Sequence, residues 1–140
     1  MDTGGPLPDV LTLASFELFR GLSYKDYEKL AGLIAVDEVK EGKVFNVEGD
    51  TGYRFVVIAE GEAEVLRGGE LVRRLGPGDH FGEIALLSEG RRTATVVAAT
   101  PMKVLVMFGA AFRLMEDAFP SIAKAIYGDA ARLMDDDDAR

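Results

Sequence analysis

The chain has 140 residues, no cysteine and a single histidine, and its formal net charge at pH 7 is −8. This length suits one domain with one hydrophobic core. The absence of cysteine excludes disulfides, thiolate metal sites and cysteine nucleophiles, and one histidine, His80, cannot build a multi-histidine metal site. The acidic balance argues against a broad basic face for nucleic acid. No apolar run is long enough to cross a bilayer and no signal peptide is recognisable, so a cytoplasmic protein without a membrane segment is expected.

The N-terminal quarter of the chain predicts a flexible lead followed by two helices. Glycine and proline are frequent in residues 1–8, which disfavours a helix there. Residues 9–35 then carry helical patterns. Apolar side chains recur with amphipathic spacing at Leu11, Leu13, Phe16 and Phe19. Ser23, with Asp26 three residues later, predicts the start of a second helix that faces the core with Leu30, Leu33 and Ile34.

Residues 36–108 have the shorter period that is typical of strands. Val44, Phe45 and Val47 precede a glycine-containing turn, and the β-forming stretches that follow are 53–59, 63–67, 71–75, 93–100 and 102–107. Gly68 and Gly69 separate two of these stretches, as in a two-residue hairpin. Short strands at such spacing predict a β-barrel or sandwich.

Helical patterns return over residues 109–134. Phe112, Met115 and Phe119 lie on one side of the first helix, and Pro120 opens a second helix. The apolar positions of the second helix are Ile122, Ala125, Ile126, Ala130, Leu133 and Met134, with Gly128 as an interruption. The acidic residues in 135–140 predict a solvated, frayed tail rather than a cation site, because carboxylates at a helix C-terminus oppose the helix dipole.

The segment 81–95 carries the chemistry of the chain. Gly82 and Ala85 leave backbone N–H groups accessible to an anion, and Arg92 offers a planar, permanently charged fork that suits phosphate oxygens. Glu83 would repel a phosphate but can accept hydrogen bonds from sugar hydroxyls. The pattern therefore predicts a sugar phosphate as the ligand, although each residue taken alone is equally consistent with a solvated surface charge.

The same segment resembles the phosphate-binding cassette of the cyclic nucleotide-binding domain family. The resemblance is carried by residues 81–87, which read Phe-Gly-Glu-Ile-Ala-Leu-Leu, and by residues 92–96, which read Arg-Thr-Ala-Thr-Val. It extends over nearly the whole chain. It implies an α+β fold, an antiparallel β-roll (a jelly-roll-like double-stranded β-helix) flanked by N- and C-terminal helices.

The resemblance also implies the role of each cassette residue in binding cyclic AMP or cyclic GMP. Glu83 and the backbone of Gly82 would hold the ribose 2′-hydroxyl, and Arg92 would pair with the exocyclic phosphate oxygens. The backbone N–H groups of Ala85 and Thr93 would assist. Ile84 and Ala94 complete the predicted binding set. A hydroxyl at the position of Thr93 favours guanine in some family members, but an ordinary strand threonine is an equally good interpretation.

The resemblance further implies a C-terminal helix that covers the base. The lid candidates are Tyr127, Arg132, Leu133 and Met134. No metal, catalytic residue or other cofactor is expected, so the domain is read as non-enzymatic and as acting through an unidentified effector protein. The oligomeric state stays open. Two alternatives remain: an interaction domain of the same fold that has lost nucleotide affinity, and, against the single histidine, a cupin-like metal enzyme.

Overall fold

The structure of the chain is a computed structural model that describes residues 8–46, 54–82 and 94–128. Within them, helix α1 (Val10–Ala14), a 3-10 helix (Glu17–Phe19) and helix α2 (Tyr24–Ala31) precede the strands. The strands are β1 (Ala35–Val39), β2 (Val44–Asn46), β3 (Arg54–Glu60), β4 (Ala63–Arg67), β5 (Glu70–Leu75), β6 (His80–Phe81), β7 (Thr95–Ala98) and β8 (Met102–Phe108). Helix α3 (Gly109–Ala118) follows, and helix α4 is described from residue 120 to residue 128.

The N-terminal helices confirm one prediction and correct another. Ser23 caps α2, since its hydroxyl accepts a hydrogen bond from the Asp26 backbone N–H at 3.1 Å. The single helix predicted through Phe19 is wrong. It ends at Ala14 because the backbone at Phe16 is extended, and the chain continues into the 3-10 turn. Pro8, assigned to the flexible lead, is buried.

The strands form two four-stranded antiparallel sheets. The first has the order β1-β8-β3-β6 and the second the order β2-β7-β4-β5. Strand β4 has the predicted bounds, and the hairpin that joins it to β5 is also confirmed: φ is 59° at Gly68 and 82° at Gly69. Positive φ at both central residues is what a type I′ turn requires. Strand β1 was not predicted as a separate strand, because exposed Asp37 and Glu38 interrupt its apolar pattern.

The first sheet is buried on both of its faces. On β3, Phe55 and Val57 pack into a helical cluster with α1, α2, α3 and α4, whereas Val56 and Ile58 pack into an inner cluster between the two sheets. Strand β8 divides its side chains in the same way. Because alternate side chains of a strand point to opposite faces, four consecutive buried residues on β3 mean that both faces are covered. The first sheet is therefore covered on one face by the second sheet and on the other face by helices.

The C-terminal helices pack on the helical cluster. Phe112, Met115 and Phe119 are buried, as predicted. The buried residues of α4 include Ile122, Ala123 and Ile126. Ala125 is exposed, so its prediction as a core residue is wrong, because the helix turns the face with Ala123 towards the core instead. Gly128 is the last described residue and is helical, so the predicted interruption at this position is not tested. Residues 129–140, with their predicted tail, lie outside the described residues.

Candidate functional site

Both ends of the predicted cassette are anchored in the inner cluster. Phe81 and Ala94 are each 7% exposed and belong to that cluster. Phe81 pairs with Val56 of the first sheet, whereas β7, which follows Ala94, pairs with β4 of the second sheet. The segment 83–93 thus joins one sheet to the other. Five predicted binding residues lie in it, outside the described residues: Glu83, Ile84, Ala85, Arg92 and Thr93.

Gly82 and Ala94 are the two predicted binding residues that the structure describes. Gly82 directly follows β6 and has a φ of 104°. Residues with a Cβ rarely adopt this conformation, so the turn by which the chain leaves β6 requires glycine. Its backbone is half-buried at the entrance to the segment that carries Glu83. Ala94 serves packing at the other entrance, where its methyl group fills the inner cluster.

Two contacts hold the first entrance in place. The rings of Phe45 and Phe81 meet edge to face, with centroids 5.2 Å apart. The Arg54 Nη2 donates a hydrogen bond to the Phe45 backbone oxygen at 3.2 Å. These contacts link the middle of β2, the first residue of β3 and the end of β6. Sequence reasoning did not identify Arg54.

A second arginine, Arg73, lies on the inner face of the roll. It pairs with Val65, which is buried in the inner cluster, and Leu75, two residues further along β5, is buried there too. Its neighbour Arg74 points the other way, since its Nη2 lies 3.3 Å from the Glu64 carboxylate on the outer face. Arg73 is half-buried. In the sequence Arg73 is two residues from the apolar Leu75, so the two side chains share one face of the strand. Which face of the strand looks into the roll is not evident until the strand pairing is known.

Register places Arg73 level with the strand that leaves the cassette. Val65 pairs with Arg73 on one side and with Val96 of β7 on the other. Because neighbouring strands are about 4.8 Å apart, the Cα atoms of Arg73 and Val96 are separated by roughly 10 Å across the inner face. Arg73 therefore lies on the inner face of the second sheet, two strands from the strand that follows the cassette.

Tyr127, predicted as part of a lid, belongs to the helical cluster in this structure. Its hydroxyl donates a hydrogen bond to Glu116 Oε2 at 2.5 Å, and its ring meets Phe112 edge to face at 6.2 Å. Burial, followed by the hydrogen bond to the Glu116 carboxylate, raises the pKa of Tyr127 from 10.0 to about 12. These contacts join α4 to α3. The other lid candidates, Arg132, Leu133 and Met134, lie outside the described residues.

A surface cleft of about 380 Å³ lies between α1 and the turn that precedes β6. Glu17, Glu60 and Lys103 are its charged lining residues, and none of the predicted binding residues lines it. Two carboxylates against one ammonium do not suit an anionic ligand. Among the described residues no group of three acidic or histidine side chains could hold a metal ion, and no described helix has the length and apolarity of a membrane span.

Comparison with known proteins matches the chain to one family. The family model described as "Cyclic nucleotide-binding domain" matches residues 36–117. A "cAMP-dependent protein kinase regulatory subunit" from Eremothecium gossypii is 40% identical over 102 residues, which is 72% of this chain and 22% of that protein. A "cGMP-dependent protein kinase" from Eimeria tenella is also 40% identical, over 84 residues, which is 60% of this chain and 8% of the kinase.

Solved structures agree on the fold. The catabolite activator protein of Thermus thermophilus superposes with a TM-score of 0.75 at 28% sequence identity, covering 87% of this chain and 60% of that one. The α+β architecture of two antiparallel sheets with helices at both ends is thus the β-roll of that protein. This chain spans about a fifth of the length of the first curated relative.

Proposed function

Because the chain belongs to the cyclic nucleotide-binding domain family, we propose that it is a regulatory domain that binds a cyclic mononucleotide at residues 81–95 and prefers cyclic GMP. One observation carries the proposal: Phe81 and Ala94, at the two ends of this segment, are both packed in the inner cluster, so the segment begins and ends at fixed points. A segment with both ends fixed loses less conformational entropy on binding a ligand than one with free ends.

Within that frame the ligand contacts follow from the chemistry of the side chains. Arg92 is the phosphate partner, because a guanidinium can give two parallel hydrogen bonds to phosphate oxygens. Glu83 is the ribose partner, because a carboxylate accepts but does not donate. Backbone N–H groups of Ala85 and Thr93 complete the anion site, while Ile84 and Ala94 supply apolar contact. The domain needs no catalytic group for this role.

The preference for cyclic GMP rests on Arg73. A guanidinium has five donors and no acceptor, so it matches the O6 and N7 acceptors of guanine. Adenine offers N7 but presents a donor at N6, which a guanidinium cannot accept. With the phosphate beside Arg92, the base is the part of a mononucleotide furthest from the cassette, and Arg73 is about two strands away from β7. The acidic net charge of the chain does not oppose this local match.

The output proceeds through the helices and an effector protein. Ile122 and Ile126 are buried on one side of α4, and Tyr127 joins the helix to α3, so α4 is held by packing and by a hydrogen bond as far as that residue. We place the lid in the residues that follow, Arg132, Leu133 and Met134, which would close over the base when nucleotide binds. The relatives named as kinase regulatory subunits make a protein partner the natural recipient of that change.

Titration calorimetry of the purified chain with cyclic GMP, cyclic AMP and linear GMP tests the binding. We expect cyclic GMP to bind most tightly. Arg92→Ala should weaken binding at least about tenfold, since a hydrogen bond to a charged group contributes about 1.5–3 kcal/mol. No binding of either cyclic nucleotide by the parent chain would refute the proposal and leave a protein-interaction domain of the same fold.

Two further titrations separate the roles of the contacts. Arg73→Met should weaken cyclic GMP roughly tenfold and cyclic AMP much less, whereas Arg74→Met, the same change on the outer face, should alter neither. Glu83→Ala should cost more for cyclic GMP than for its 2′-deoxy analogue, which lacks the hydroxyl that the carboxylate accepts from. Equal losses of cyclic GMP and cyclic AMP on Arg73→Met would contradict the base assignment alone.

A further inference from the structure

Arg54 occupies an unusual position for a charged residue. It is the first residue of β3, and Val56 and Ile58, which share its face of the strand, are both buried in the inner cluster. Arg54 itself is exposed, so its side chain lies where the inner face opens to solvent. Val56 pairs with Phe81, and the antiparallel register therefore puts Arg54 beyond the end of β6, on the side where the chain continues through Gly82.

Three elements converge on this residue. Its guanidinium donates to the Phe45 backbone oxygen, and the Phe45 ring packs on Phe81, the last residue of β6. Across the sheet, Arg54 pairs with Phe108, which is the N-cap of α3. One side chain and its strand position thus connect the middle of β2, the entrance to the cassette and the first turn of the helix that leads to α4.

A guanidinium fits this junction better than the alternatives. A short polar side chain would not reach from β3 to the Phe45 backbone carbonyl on β2. An apolar side chain could not donate a hydrogen bond to that carbonyl. Arginine reaches the carbonyl with one nitrogen and carries a permanent positive charge at the end of β3 that lies beside the cassette entrance. Opposite charges attract over several ångströms even when water intervenes.

We propose that Arg54 is a positioning residue of the nucleotide site. It holds β2 and the Phe81–Gly82 entrance in register, so that the cassette is preorganised for the phosphate. This role has two consequences, and only the second of them rests on the proposed function. The first consequence is local and needs no ligand: without the guanidinium, the entrance opens more often. The second is that the nucleotide binds more weakly.

Hydrogen exchange of the ligand-free protein tests the first consequence. Arg54→Met keeps an unbranched side chain but removes the donors, and exchange at residues 80–82 should become faster. Arg54→Lys, which retains a donor and the charge, should restore most of the protection, and Arg74→Met is the matched control that should leave 80–82 unchanged. Equal exchange at 80–82 in Arg54→Met and the parent would overturn the inference, whatever the chain binds.

Titration with cyclic GMP and cyclic AMP tests the second consequence. Arg54→Met should weaken both about five- to tenfold, because the residue acts through the cassette and not through the base. Arg54→Lys should stay within about threefold of the parent. Parent affinity in Arg54→Met would overturn the positioning role, whereas a parent chain that binds no cyclic nucleotide would refute the proposed function and leave the exchange result standing.

Discussion

The hydrogen bond between Tyr127 and Glu116 is a polar contact between α4 and α3, and removing it gives a prediction with a definite pH dependence. Tyr127→Phe keeps the ring that packs on Phe112 but deletes the hydroxyl. A hydrogen bond to a charged group contributes about 1.5–3 kcal/mol when it is buried. Tyr127 is only half-buried, so we expect Tyr127→Phe to lower the free energy of unfolding by about 1 kcal/mol at pH 8.

The sign of the pH dependence follows from the raised pKa. The folded protein holds the Tyr127 proton more tightly, with a pKa of about 12 against 10.0 for the free side chain. The stabilisation is therefore complete below pH 10 and is lost as the pH rises from 10 towards 12. Because Tyr127 is half-exposed, solvent screening limits the stabilisation that accompanies the raised pKa to about 1 kcal/mol.

Urea unfolding followed by circular dichroism, at pH 8 and near the top of that window, measures both effects. The difference in unfolding free energy between the parent and Tyr127→Phe should shrink at the higher pH. Subtracting the variant from the parent removes the contributions of the other tyrosines. Tyr24→Phe, at a tyrosine that is 67% exposed, is the control and should show no such difference. A parent-minus-variant difference that is the same at both pH values would refute the assigned coupling.

Three further changes test separate parts of the structure. Gly61→Ala should destabilise the fold by about 1–3 kcal/mol more than Gly69→Ala, as measured by urea unfolding. Both glycines have a positive φ, but only at Gly61 would an added Cβ clash, at 2.4 Å from the Pro101 backbone oxygen. Phe108→Asp should be more stable than Phe108→Ala by about 1–2 kcal/mol, since the N-cap of α3 has no side-chain hydrogen bond, and equal melting temperatures would contradict this. Thr93→Ala should lower calorimetric affinity for cyclic GMP more than for cyclic AMP, by about 1 kcal/mol, if its hydroxyl reaches the guanine.

Local signals in the sequence were sufficient for the turns and for most of the strands. Gly68-Gly69 marks its hairpin because only glycine adopts positive φ without strain at two successive positions. Ser23 marks its helix because a hydroxyl satisfies a backbone N–H that the first turn leaves unpaired. Such signals act within a few residues. The break after Ala14 and the rotation of α4 depend instead on tertiary packing.

Which face of a strand looks into the roll could not be predicted. Strand β3 is buried on both sides, so its apolar run carries no period-two signal. On β5 Arg73 shares a face with Leu75 and Arg74 has the opposite face, but which of the two is the inner face depends on the pairing of β5 with β4. The spacing of Glu83 and Arg92 is a property of one short segment and is readable in the sequence. Arg54 and Arg73 come near that segment only through strand pairing, and so they were missed.

The double burial of β3 bears on where a bound nucleotide would act. Val56 contacts the cassette entrance through its pairing with Phe81, while Phe55, the preceding residue, faces the helices and lies 5.4 Å from Phe112, ring centre to ring centre. Strand β3 is held by backbone pairing on both edges, to β6 and to β8, so it cannot shift independently of the sheet. Helix α4 has no such ladder and relies on side-chain packing and the Tyr127 hydroxyl. A packed roll resists deformation, and weakly held elements respond first. We therefore expect exchange protection to be highest in β3 and β8 and lowest in α4, and nucleotide to change the exchange of α4 more than that of the strands.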